Sequence, residues 1–245
     1  MKNLFIKTLH FIFGYQRYLR YFTRFKIFFL KNDRRKHDFL YFEKILSEKA
    51  NILVIGANTG ITTIPFSKGK EERNIFAYEP LPSNFEILEN CIKNYSLTNI
   101  KSYMIALGNS IGQKEMILPT INGTRKHGMA YINTSSIASL GDGKKFLIQM
   151  DKLDNRSELI NNKIDAIKLV AENYETEIIK GAKNIIARDR PFIYCELWHN
   201  ENRISTMELI QKYGYQIYYR KGKELLKFEN SNYEGKNFFF KSNEE

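Results

Sequence analysis

The chain has 245 residues, 43% of them hydrophobic, enough for one substantial buried core, so a single main α/β domain is the expectation. Its formal net charge is +11, but residues 1–36 alone carry ten Lys or Arg against Asp33, so a nearly neutral domain follows a basic extension that also holds ten of the 33 Phe and Tyr residues. The only cysteines, Cys91 and Cys195, sit in apolar stretches, which argues against a disulfide framework or a CxxC metal site and for a reducing cytoplasm.

In chain order, the extension (residues 1–48) comes first. Tyr15, Tyr18, Leu19, Phe22, Phe25 and Phe29 recur at helical spacing, and Arg17, Arg20, Arg24 and Lys31 follow the same period on another face. Charges interrupt every window of about 20 residues, so this basic amphipathic helix cannot span a membrane. Lys7 and His10 break the apolar run at residues 2–13, which argues against a signal peptide. Two readings of the segment compete. Its aromatic face packs on the domain or on a second copy of the chain, or residues 1–36 dock peripherally on an anionic membrane surface, the inner face of a membrane for a cytoplasmic protein. Nucleic-acid binding is a third reading, and no DNA- or RNA-binding signature supports it.

The domain, residues 49–245, then alternates. NILVIG reads as a strand, TGITTIPFSK as a helix start, NIFAYE as a strand, SNFEILENCIKNYS as a helix and IKSYMIAL as a strand. After an inserted segment at 118–150, rich in Gly, Ser, Thr and Asn with one extended stretch KKFLIQMD, the pattern resumes. IDAIKLVA is a strand, YETEIIKGAKNIIARD a helix, FIYCEL a strand, RISTMELIQKYG a helix, and YQIYYR and KNFFFK are strands. Such alternation implies parallel βαβ units. Ligands of these sheets bind at the carboxyl ends of the strands.

The turn after the first of these strands is GANTG. A dinucleotide fingerprint would need glycine at 56, 58 and 61, and the sequence has Gly56, Asn58 and Ile61, which disfavours a pyrophosphate. Glu79 ends the next strand, ahead of Pro80. There an acidic side chain can accept the hydroxyls of a ribose, unless it is merely solvated. A ribose without a pyrophosphate points to S-adenosylmethionine.

The stretches ILVIGANTG, AYEPLPSNFEILENCIKN, NIKSYMIALGN, MDKL, IDAIKLVAENYETEIIKGAK and PFIYCEL resemble, in order and spacing, the FkbM family of S-adenosylmethionine-dependent methyltransferases, from about Ile52 to Phe240. The resemblance implies a class I methyltransferase fold, a Rossmann-like seven-stranded sheet with its last strand antiparallel and helices on both faces. It also implies methyl transfer to an oxygen, with a sugar, glycan or other small metabolite as acceptor. Carried over, it puts Gly56, Ala57, Asn58 and Gly60 beside the methionine and ribose, Glu79 with Pro80 at the ribose, and Ala106 and Leu107 against adenine. Asp151 of MDKL would close a segment over the pocket. Glu172 and Glu175 match the two glutamates of the family's Asp-Val-Glu-Gly-x-Glu signature.

Three positions depart from the family pattern. Val54 and Val170 stand where aspartates are usual, and Asn173 where the signature has glycine. Because residues 170 and 172 point to the same side of an extended chain, Glu172 is the surviving candidate for a general base, with capping of the next helix as its structural alternative. The missing carboxylates also leave open a cofactor-binding relative without activity. After the fifth strand, Trp198, His199 and Asn200 are candidates for acceptor contact, with Glu175 and Asp151 elsewhere. His127, His199, Glu196 and Asp151 lack metal-ligand spacing, and no metal is expected.

Overall fold

The computed structural model describes residues 13–134, 143–229 and 233–243. The interrupted apolar run at 2–13 lies almost wholly outside these residues, as does part of the inserted segment.

The alternating pattern builds one eight-stranded sheet from β1 (Asn51–Ile55), β2 (Asn74–Tyr78), β3 (Ile100–Tyr103), β9 (Ala166–Leu169), β10 (Phe192–Glu196), β11 (Tyr215–Lys221), β12 (Glu224–Lys227) and β13 (Asn237–Ser242). The order is β12-β11-β13-β10-β9-β1-β2-β3. Neighbours among β3, β2, β1, β9 and β10 are parallel, whereas β13 runs antiparallel between β10 and β11. The sequence implied seven strands. The eighth is β12, which returns along β11 in a tight hairpin through Gly222, whose φ of 63° suits glycine.

The inserted segment and the residues just before it form a second sheet from β4 (Ala106–Leu107), β5 (Gly112–Ile121), β6 (Thr124–Arg125), β7 (Tyr131–Ile132) and β8 (Gly143–Asp151). It has the order β4-β8-β5-β6, with β7 on β5. Of these, β8 was legible in the sequence and β4 only as the end of a longer strand, while β5, β6 and β7 were not. Pro119 speaks against a strand at 112–121, and it is tolerated because it stands opposite Gly143 at the end of the ladder. The strand expected at 100–107 is divided, β3 belonging to one sheet and β4 to the other.

Helices cover both faces of the large sheet. One face, with Leu53, Phe76, Ile167, Ile193 and Phe238, packs under α5 (Glu175–Lys180), α6 (Lys183–Asp189) and α7 (Glu201–Lys212). The other, with Ile52, Val54, Ile75, Tyr194 and Phe239, packs under α2 (His37–Ile45), α3 (Ile64–Ser67) and α4 (Pro82–Asn94). The helix expected to start near 59 is only the single turn α3. The one helix expected at 174–189 is broken into α5 and α6 at Gly181, where an added Cβ would lie 1.9 Å from the Gly108 carbonyl oxygen.

The basic extension packs on the domain. In α1 (Tyr15–Phe28), Leu19 and Thr23 are buried, Gln16 Nε2 donates to Glu86 Oε2 of α4 at 2.9 Å, and the Arg125 guanidinium lies over the Tyr15 ring. The opposite face leaves Tyr21, Phe25 and Phe28 exposed at 64%, 59% and 79% among Arg17 and Arg24. In α2, Phe42 stacks on Tyr194 at 5.5 Å. No helix among the described residues is long and apolar enough to cross a membrane.

Arg73 fastens α2 to the sheet. Its guanidinium, 1% exposed, donates to the carbonyls of Ser47 and Leu46 at 2.9 and 2.7 Å and to Glu43 Oε1 at 3.0 Å. Arg73→Met leaves the Leu46 carbonyl without its donor and takes one of two donors from the Ser47 carbonyl and from Glu43, which keeps Lys70, so a loss of about 3 kcal/mol is expected. It would be read as a lower urea midpoint at an unchanged slope.

Candidate active site

A cavity of about 410 Å³ opens where β1, β2 and β9 end. Its floor is set by the turn after β1. Gly56 has φ 72°, and an added Cβ there would lie 1.9 Å from the Val170 carbonyl oxygen, so only glycine lets the ends of β1 and β9 approach this closely. Asn58 follows in the left-handed region at φ 53°. Gly56, Ala57 and Asn58 line the cavity, as do Glu79, Pro80, Ala106 and Leu107, seven of the eight residues assigned to the cofactor from the sequence. The eighth, Gly60, does not. At φ 94° it turns the chain, and its carbonyl accepts from the N–H groups of Thr63 and Ile64.

Glu79 is buried rather than solvated, at 4% exposure. Its Oε2 accepts from Asn58 N at 2.8 Å, and Oε1 accepts from Leu81 N at 3.0 Å and Asn84 Nδ2 at 3.3 Å. Burial raises its carboxyl to about 7 against the lowering effect of these donors. The same carboxylate therefore braces the Gly56 turn and faces the cavity. Beside it, Asn84 Oδ1 is buried without a hydrogen-bond partner among the described residues. Sequence reading passed over Asn84, which lies in a helix.

The second sheet supplies a cap. His127 Nδ1 lies 2.9 Å from Asn58 Oδ1, which also accepts from Thr59 N, so the imidazole donates through Nδ1. The His127 carbonyl accepts from Asn58 Nδ2 and Asn84 Nδ2, both at 3.2 Å. Burial lowers the imidazole to about 4, leaving it neutral. Phe22 of α1 packs edge-on against this ring at 5.9 Å, and Lys36 and Phe39 complete the wall.

At the end of β9 stand Lys168, Val170 and Glu172. Lys168 is 4% exposed, and its Nζ donates to the Gly56 carbonyl at 2.9 Å. Burial lowers the amine to about 8, and Lys36 adds to that effect. Glu172 and Asn173 both adopt left-handed backbone, at φ 49° and 73°, a strain that clusters at functional sites. Burial, with Glu196 and Glu175 nearby, raises Glu172 to about 8. It has no hydrogen-bond or ion-pair partner among the described residues, so it does not cap α5.

Other residues singled out in the sequence have structural partners. Glu175 accepts from Ala171 N at 2.8 Å and Asn202 Nδ2 at 2.7 Å, tying α5 to α7. Asp151 accepts from Lys152 N and Asn155 Nδ2 and pairs with Arg156. His199 lies by Arg203 Nη1 at 3.0 Å and the Glu234 carbonyl at 2.7 Å. None of these three lines the cavity, whereas Trp198 does, with Lys236 Nζ 3.1 Å from its ring centre. Among the described residues no cluster of His, Cys, Asp or Glu could hold a metal ion.

A sheet of this order, with a glycine turn ending its first strand and a buried acid ending its second, is the class I methyltransferase fold. The profile of the methyltransferase FkbM domain matches residues 55–217, and the chain belongs to that family. The matched profile is that of a methyltransferase domain, and the cavity lies where the sequence places S-adenosylmethionine. Among solved structures, the FkbM methyltransferase of Methylobacillus flagellatus KT is similar at 14% identity and TM-score 0.54, over 81% of this chain and 45% of that one. This chain thus corresponds to less than half of that protein. A SAM-dependent O-methyltransferase of Thermotoga maritima aligns at 10% identity over 89% and 71% of the two chains, TM-score 0.47. Aeropyrum pernix fibrillarin with natively bound S-adenosylmethionine aligns at 9% identity over 80% and 67%, TM-score 0.45. At those scores the last two likenesses carry no argument. No curated protein sequence matches the chain.

The cavity's donors and acceptors suit the cofactor. Asn84 Oδ1 is a buried acceptor without a partner among the described residues, Glu79 keeps one acceptor position beyond its three donors, and a ribose brings two O–H groups.

The raised carboxyl of Glu172 has a stability consequence. A carboxyl whose folded pKa lies above its unfolded value of 4.5 costs nothing below that pH and opposes folding progressively as pH rises towards about 8. Glu172→Gln is therefore expected to raise Tm relative to wild type, by a margin that is absent near pH 4, grows from pH 5 to 8 and is constant above. Thermal melts of the apoprotein across this range check it.

Proposed function

We propose that the chain is an O-methyltransferase acting on a hydroxyl of a sugar, a glycan or a small metabolite. One observation carries the reading. Glu172, without a partner among the described residues, stands in the wall shared by the 410 Å³ cavity and a second, polar cavity of about 960 Å³ lined by Asn173, Asn200, Asn202 and Ser205 among others. A carboxylate between a cofactor cavity and a groove rich in hydrogen-bonding groups is where a hydroxyl would give up its proton.

In this reading Glu79 and Asn84 share the ribose hydroxyls. Three of the roughly four acceptor positions of Glu79 are already occupied by Asn58 N, Leu81 N and Asn84 Nδ2, so Asn84 Oδ1 takes the second hydroxyl. Ala106 and Leu107 give an apolar wall for adenine, and Gly56, Ala57 and Asn58 border the methionine. The bound cofactor supplies a methyl group on a sulfonium, already activated for transfer. The protein's contribution is then mostly alignment of the acceptor oxygen, with Glu172 as general base and Trp198 as a flat surface for an acceptor ring.

The extension at 1–48, the domain at 49–245 and its insertion at 118–150 work as one unit in this proposal, because Lys36 and Phe39 line the cavity and Phe22 packs on the His127 ring that caps it. The outer face of α1 serves a different end. Its exposed aromatics and arginines, continued by exposed Lys31, Arg34 and Arg35, suit peripheral docking on an anionic membrane surface.

Two experiments test these readings. Radiolabelled S-adenosylmethionine with glycan and metabolite fractions is expected to give label transfer. Glu172→Gln should lower kcat about 10²- to 10⁴-fold with little change in cofactor affinity, and should remove a rise of the wild-type rate through about pH 8, where the carboxyl ionises. Unchanged turnover in the variant overturns the general base, and label in nucleic acid alone overturns the acceptor class. For the surface, wild type should sediment with anionic vesicles, less at high salt, and Phe25→Ser with Phe28→Ser should abolish it. Equal sedimentation with neutral vesicles contradicts the electrostatic part, and a concentration-dependent doubling of mass would assign the face to a second copy of the chain.

A further inference from the structure

Lys168 is a lysine in a central parallel strand, where such strands are ordinarily near-continuous apolar runs. Its register partner on β1 is Val54, and on β10 it is Tyr194, so neither neighbouring strand offers a countercharge beside its stem. Its ammonium carries three N–H donors, of which one reaches the Gly56 carbonyl at 2.9 Å. No carboxylate among the described residues lies within ion-pair distance. Glu196, Glu79 and Glu172 act on it only at longer range, and Lys36, also in the cavity wall, repels it. A buried cation is costly unless something anionic meets it. The open side of this one is the cavity itself.

We propose that Lys168 is the residue that receives the α-carboxylate of the cofactor's methionine portion, the only carboxylate that S-adenosylmethionine and its demethylated product possess. This rests on S-adenosylmethionine as the methyl donor and goes further by assigning the site's charge preference. The floor of the cavity grips the carboxylate with a cation borne by β9, and the carboxylate supplies the countercharge that the strands do not. The bond to Gly56 fixes the ammonium at the turn, so the same contact that shapes the floor aims the two remaining donors.

The test compares two ligands that differ by that one group, S-adenosylhomocysteine and its decarboxylated analogue S-adenosyl-3-thiopropylamine, by calorimetry on the full chain. Wild type is expected to bind the first at least tenfold more tightly. Lys168→Met should erase that gap while leaving affinity for the decarboxylated ligand within about threefold of wild type. Lys168→Gln, which keeps an N–H for the Gly56 carbonyl but carries no charge, should do the same and guards against a misfolded methionine variant. A gap that persists in folded variants, or its absence in wild type, overturns the assignment. Equal losses for both ligands would make Lys168 a purely structural tie to the turn and overturn it too. Failure of wild type to bind either ligand would instead overturn the cofactor itself, and this assignment with it.

Discussion

Everything at the cavity floor depends on one absent atom. The Val170 carbonyl oxygen occupies the place where a Cβ at residue 56 would stand, so the ends of β1 and β9 meet more closely than any other residue type would permit. That approach turns the Gly56 carbonyl to within reach of Lys168 and carries the next peptide N–H groups toward β2, where Tyr78 and Glu79 accept them. The floor is thus a chain of backbone and buried polar contacts in which each member fixes the next. A shift at any one is transmitted because the surrounding core has no slack.

Much of the large sheet was legible because parallel βαβ units write themselves locally. Each strand is a short apolar run, and each helix has its own period. The second sheet was not, since β5 and β8 pair across the inserted segment and β5 carries a proline that local rules count against it. The break at Gly181 was hidden for a similar reason. It answers a carbonyl 73 positions earlier in the chain, and nothing within the helical pattern announces that contact.

The site divides the same way. The glycine turn and the acid ending the second strand carry their own spacing, and both stand at the cavity. Asp151, Glu175 and His199 looked chemical because they are polar residues in a loop or beside a strand end. Each instead has hydrogen-bond partners that hold neighbouring elements together. Asn84, His127 and Lys36 reach the cavity only through tertiary placement and left no motif. Lys168 did leave a signal, a charged residue inside the apolar run of a central strand, and that signal outranks its silence in the motif pattern.

The matched family profile begins at residue 55, yet the cavity is walled by side chains well upstream of it. Phe22 packs on the imidazole that hangs over the Gly56 turn, and Lys36 and Phe39 close a flank. The recognisable family and the physical enzyme therefore have different edges. A protein trimmed to the recognisable part would keep its glycine turn but lose the strand that leads into it and the antiparallel strands at the far edge, and would stand open to water on the side that its own first helices seal.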